Sequence, residues 1–152
     1  MTTPSPQSPA TSLYEQDYYL WLEKMAHLLR TGKLDELDLE NLAEEIADMG
    51  RSERRTVESN LERVLMHLLK YQYQPEKRSS SWRYTLLEHR DRLEKSFCDS
   101  PSLKNHFRAV FQQCYGKARR KAAVETELPI ELFPNDCPFT PEQVLDLDYL
   151  PE

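Results

Sequence analysis

Apolar residues recur along this chain mainly at spacings of three and four, which marks helices rather than strands. The first such stripe is Tyr14, Tyr18, Trp21, Leu22, Met25, Leu28 and Leu29. Ser12 and Glu15 precede it as a capping box, and Thr31-Gly32 closes it with a glycine suited to the left-handed cap. A turn over 32–37 leads to Asp38, a good N-cap, and Leu39, Leu42, Ala43 and Ile46 continue at helical spacing to Met49-Gly50. The same phase resumes at Val57, Leu61, Val64, Leu65, Leu68 and Tyr71, interrupted only by the polar run 51–55. Either one helix runs from 38 to about 72, or two meet at Gly50 with Ser52 as a new cap. The preserved phase favours one.

Pro75 and the polar residues up to Ser81 predict a loop, because the residue before a proline disfavours helix. Trp82, Leu86, Leu93 and Phe97 mark the next helix. Ser100-Pro101 reads as a restart, with serine as cap and proline at the first helical position. Leu103, Phe107, Val110, Phe111, Cys114 and Ala118 then share a face as far as about Glu125. Prolines 129, 134, 138 and 141 predict an extended C-terminal segment with one short turn, capped by Thr140 and Gln143. The expected fold is an all-α bundle of four to five helices ending in an extended, proline-containing segment. Residues 1–12 are expected to form a disordered tail without the features of a signal peptide. Residues 13–152 are expected to form a single helical domain that includes the acidic segment 127–152.

With 152 residues the chain is long enough to bury a core without disulfides or a structural metal. Three glycines are too few for phosphate-cradling glycine loops, and no apolar run is long enough to span a bilayer. The three cysteines, Cys98, Cys114 and Cys137, lack CxxC spacing, which argues against a disulfide framework or a zinc ribbon and for a reducing cytoplasm. Cys98 and Cys114 fall at apolar helical positions and are expected to be buried.

Several strings occur in order: DYYLWLEKMAHLLRTG (17–32), LAEEIADMGRSERR (42–55), HLLKYQYQPEKRSSSWR (67–83), SPSLKNHF (100–107), YGKARRKAAVETELP (115–129) and FPNDCPFT (133–140). Together they resemble a bacterial family known as domain-of-unknown-function family twenty-nine, over about residues 13–150. The resemblance implies a small helical protein. It supplies no activity, ligand or catalytic residue, so function has to be sought in the side chains.

Glu44, Glu45 and His67 are the candidate metal ligands, and a metal-dependent hydrolase or nuclease would need further ligands from other helices. On one helix, Glu45 and His67 are separated by about 33 Å at a rise of about 1.5 Å per residue, which counts against a shared site. His67, Lys70 and Tyr71 share a helical face, where the bland role for the histidine is one core hydrogen bond. The preferred anion- or nucleic-acid-binding surface interleaves Lys70, Lys77, Arg78 and Arg83 with Tyr71, Tyr73, Trp82 and Tyr84. Ser79, Ser80 and Ser81 stand there at the start of a helix. Lys117, Arg119, Arg120 and Lys121 form a second basic cluster. Arg90 and Arg92 add little in this reading, since Glu88, Asp91 and Glu94 surround them. No cofactor is expected.

A formal charge of −6, taken as a whole, argues against anionic partners, but it is unevenly spread. Residues 1–50 carry 3 Lys+Arg against 10 Asp+Glu, residues 51–121 carry 17 against 8, and residues 122–152 carry none against 8. A basic middle therefore sits between two acidic ends. The simplest expectation is that the ends fold over the middle, and the tail 142–152 could compete there with an anionic partner. The sequence favours a binding or interaction protein over an enzyme. Its partner would be another protein or a second copy, with an anionic ligand or nucleic acid possible at the basic centre. Tyr19 and Leu20, off the main stripe, mark a candidate association surface.

Overall fold

Six α-helices and short 3-10 turns, with no strand among the described residues, make up the computed structural model, which describes residues 12–152. The all-α expectation is correct, and the main helices pack as a bundle. The expected N-terminal tail, apart from Ser12, lies outside the described residues. The chain forms two compact units, divided between Gly50 and Arg51.

In the first unit the expected single helix is broken. Helix α1 covers Leu13–Gln16 and α2 covers Tyr18–Arg30, with Asp17 in a non-helical conformation between them. Its carboxylate accepts from the Leu20 amide at 3.0 Å, so an acid that competes with helical backbone bonding caps a new helix. Helix α2 ends at Thr31, and Gly32 takes φ 73°, as its sequence predicts. Helix α3 then runs unbroken through Leu39–Tyr73. Asp38 joins the elements of the first unit, accepting from Trp21 Nε1 at 3.1 Å and from the Asn41 side-chain amide at 2.8 Å. Trp21, Met25 and Leu28 are the buried centre, with Leu13, Leu22, Leu37 and Leu42 packed against them. Leu39 and Ile46, read as stripe residues, are exposed.

The second unit holds the larger core. Helix α3 contributes Val57, Leu61, Val64, Leu65 and Leu68; helix α4 (Ser80–Asp99) contributes Leu86, Leu93 and Phe97. Helix α5 (Leu103–Thr126) adds Phe107, Cys114, Tyr115, Ala118 and Ala122. The Ser100 restart is a correction. Ser100 ends α4, Pro101 and Ser102 form a turn, and α5 starts only at Leu103, because Ser100 N is still bonded to Ser96 O. A second correction concerns Cys98, which is exposed, since it lies one position past the buried Phe97 on α4.

The C-terminal segment is part of this core rather than a loose strap. Glu127, in the left-handed region at φ 59°, turns the chain out of α5. A 3-10 turn at Ile130–Leu132 and helix α6 (Pro141–Leu145) follow, the latter with the expected capping box of Thr140 and Gln143. Phe133, Phe139 and Val144 are buried, and each such side chain contributes about 1.5–3 kcal/mol by leaving water. Two arginines hold the backbone of this segment. Arg119 donates to the Phe133 and Ile130 carbonyls at 3.0 Å each, and Arg90 donates to Val144, Tyr149 and Gln143 at 2.8, 2.9 and 3.0 Å.

Candidate functional site

The basic residues of the second unit fall into two groups, those used to build the fold and those left facing solvent. The preferred sequence surface is divided between them, with Lys70 and Arg78 in the first group and Lys77 and Arg83 in the second. Lys70 is buried, its Nζ 2.7 Å from Glu125 Oε1 and 4.7 Å from the centre of the Trp82 ring. Arg78 turns back over α3, donating from Nε to the Tyr71 carbonyl at 2.8 Å while its guanidinium lies 4.4 Å from the Tyr71 ring centre. Ser79 is the α4 cap, accepting from the Trp82 amide at 3.2 Å, and the Ser81 carbonyl accepts from Thr85. Of this surface, Lys77, Ser80, Ser81, Arg83 and Tyr84 are exposed. Arg78 and Lys70 thus make contacts that close the α3–α4 turn.

The metal candidates are also placed differently from one another. Both carboxylate oxygens of Glu45 are taken by tyrosine hydroxyls, Tyr14 on one and Tyr18 on the other at 2.6 Å. The bond to Glu45 pushes the Tyr14 phenol up to about 12, because ionising it would set two anions side by side. Glu44 is exposed on the same unit. His67 belongs to the second unit, buried, with Nδ1 3.0 Å from the Arg63 carbonyl on its own helix. Burial lowers its pKa, since a charged imidazole loses hydration there. Among the described residues, no three His, Cys, Asp or Glu side chains gather as a metal-binding set.

The second basic cluster has a different fate. Lys117 and Arg120 are exposed, and Lys121 bonds Glu62 of α3 at 2.7 Å. Arg120 and Lys121 lie on a groove of about 620 Å³ between α3 and α5. Helical spacing builds both walls: Ser59, Glu62, Arg63 and Met66 recur on α3, and Arg120, Lys121, Val124 and Glu125 on α5. Both acids of the groove already have a cation, Glu62 with Lys121 and Glu125 with Lys70. The bond from Lys70 holds the Glu125 carboxyl below its ordinary range, so it stays ionised. Arg63 and Arg120 carry no ion pair among the described residues and leave the groove with unmatched positive charge. Its apolar part is Met66 at the floor and Val124, 80% exposed, at the rim.

Sequence reading picked out the α5 side of this groove and missed Arg63. The available signal was the polar series Ser52, Arg55, Ser59 and Arg63 on α3, at intervals of three and four opposite the apolar stripe. The expected cover by the acidic tail takes another form. The segment docks through backbone carbonyls onto Arg90 and Arg119, while Glu142, Asp146 and Asp148 remain exposed. Tyr19 and Leu20 of the first unit are exposed at 70% and 47%. No helix among the described residues is long and apolar enough to cross a membrane.

No curated protein and no solved structure matches this chain. A family profile does match it over residues 13–150, and the chain belongs to that family, the domain of unknown function DUF29.

Proposed function

We propose that this chain is a binding protein whose α3–α5 groove takes an acidic segment of a partner protein. The segment would place a carboxylate between Arg63 and Arg120 and an apolar side chain on Met66 and Val124. The single observation that carries this reading is that both groove acids are already paired, whereas Arg63 and Arg120 have no ion pair among the described residues. Unmatched cations beside exposed apolar surface suit a ligand that offers both features, as the rims and cores of protein interfaces do. A nucleic acid strand is the competing occupant. It needs a row of phosphate contacts, and the two acids in the groove oppose that.

The test is fluorescence anisotropy with labelled peptides that alternate Asp or Glu with Leu, run beside a labelled single-stranded oligonucleotide at low and high salt. Peptide binding that falls by about tenfold or more in the Arg63→Glu, Arg120→Glu double variant, with unchanged helical circular dichroism, supports the reading. Equal binding by the variant, or binding of the oligonucleotide alone, overturns it.

A further inference from the structure

A second pocket adjoins the groove along α3 and shares only Ser59 with it. It has a volume of about 360 Å³ and lies between α3 and α4. Its α3 wall is Ser52, Arg55, Thr56, Ser59 and Asn60, and its α4 wall is His89 and Arg92. No carboxylate lines it. Arg55 is exposed and has no ion pair among the described residues; Arg92 gives one nitrogen to Glu88 at 2.8 Å and keeps its other donors. Two guanidinium forks and three hydroxyls surround one cavity whose lining holds no carboxylate.

The histidine is held in a defined state. Asn60 is buried, and its side-chain amide donates to the Thr56 carbonyl at 2.9 Å, which turns its oxygen towards α4. That oxygen lies 2.7 Å from His89 Nδ1. The amide oxygen only accepts, so Nδ1 carries the proton and Nε2 holds the lone pair of the neutral ring. Burial first, then the charges of Arg92 and Arg63, lower the His89 pKa against the weaker opposing effect of Glu88. Arg55 on α3 adds a further positive charge to the same pocket. An empty pocket therefore favours neutral His89, and an anion among these cations favours protonation at Nε2.

We propose that the α3–α4 pocket binds a small tetrahedral oxyanion, either inorganic phosphate or the terminal phosphate of a small monoester, and takes up one proton from water at His89 Nε2 as it does so. Arg55 and Arg92 supply the charge, Ser52, Thr56 and Ser59 supply hydroxyl donors, and Asn60 fixes the imidazole. The volume leaves space beside one phosphate group for the body of a monoester.

The experiment is calorimetric titration of the full chain with sulfate at constant ionic strength, because sulfate keeps its charge where His89 titrates. Saturable binding is expected. Its affinity should rise by up to about tenfold per pH unit on going from about pH 8 to pH 6, with a heat that depends on the buffer's ionisation enthalpy. Arg55→Gln, at an exposed position with no ion pair among the described residues, should weaken sulfate by about tenfold or more. His89→Gln should bind sulfate with no such pH dependence. Phosphate and a sugar phosphate are then compared: tighter phosphate identifies the free ion, and a tighter sugar phosphate identifies the monoester. Absence of saturable sulfate binding, unchanged affinity in Arg55→Gln, or a pH dependence that survives His89→Gln overturns the proposal. None of these readouts depends on the α3–α5 groove.

Discussion

Replacing Arg90 by methionine should detach the C-terminal segment from the second unit. Arg90 is 1% exposed, and all three of its contacts are carbonyls of residues 143–149, more than 50 positions away in sequence. Gln143 and Val144 belong to α6, whose last carbonyls point their negative dipole ends at the guanidinium. Burial pulls the Arg90 pKa down, and the negative charges of Asp146 and Asp148 oppose that. Methionine preserves the length and apolar stem but leaves three acceptors without a donor. A hydrogen bond to a charged group contributes about 1.5–3 kcal/mol, and each buried acceptor left without a donor costs about 1–3 kcal/mol. The lower figure for the whole change follows if the carbonyls regain water when the segment lifts. A loss of about 3–5 kcal/mol is thus expected, a large share of a typical domain stability of about 5–15 kcal/mol. Arg90→Lys, which keeps the charge but loses the fork geometry, should fall between the two. Urea unfolding provides the free energy, and amide exchange at α6 reports the segment itself. A change below about 1 kcal/mol in Arg90→Met, with α6 amides still protected, would refute this account of how the segment is held.

Two further outcomes follow from the same contacts. Glu125 has its pKa lowered by Lys70, so this pair contributes stability above the ordinary carboxylate range and loses it as pH falls through the lowered value. Glu125→Gln should therefore lower the urea midpoint at neutral pH and flatten its acid limb. An acid limb as steep as that of the parent protein would contradict the pairing, although the half-exposed carboxylate keeps the effect modest. Thiol titration of the native protein should modify one cysteine quickly, the exposed Cys98, while Cys114 and Cys137, their thiols pushed up to about 11 by burial, react only on unfolding. Rapid labelling of all three in the folded state would contradict that burial.

Much of the bundle was legible because helix signals are local. The uninterrupted phase across Gly50 correctly indicated one α3, and Thr140 with Gln143 marked α6. Two local signals misled where another choice was available within a few residues. Asp17 and Ser12 both suit a cap, and the chain uses both, splitting α1 from α2. Ser100-Pro101 fits a helix start, yet Ser100 still bonds back into α4. The candidate site was only half legible. The α5 residues Arg120 and Lys121 stood out as a run, whereas Arg55 and Arg63 are spread along α3 and share a face only once the helix forms.

The sequence by itself determined the helical class, most helix limits, the family and the concentration of positive charge between residues 51 and 121. Tertiary structure decided which of those charges remain available. Lys70 is buried against Glu125 and Trp82, Arg78 lies half-buried over Tyr71, and Arg90 and Arg119 are bound by carbonyls of the C-terminal segment. Arg55, Arg63 and Arg120 stay on the surface. The physical reason is that a cation's availability depends on the acceptor it meets across the bundle. For Arg90 and Lys70 that acceptor lies more than 50 residues away, beyond the reach of any helical period.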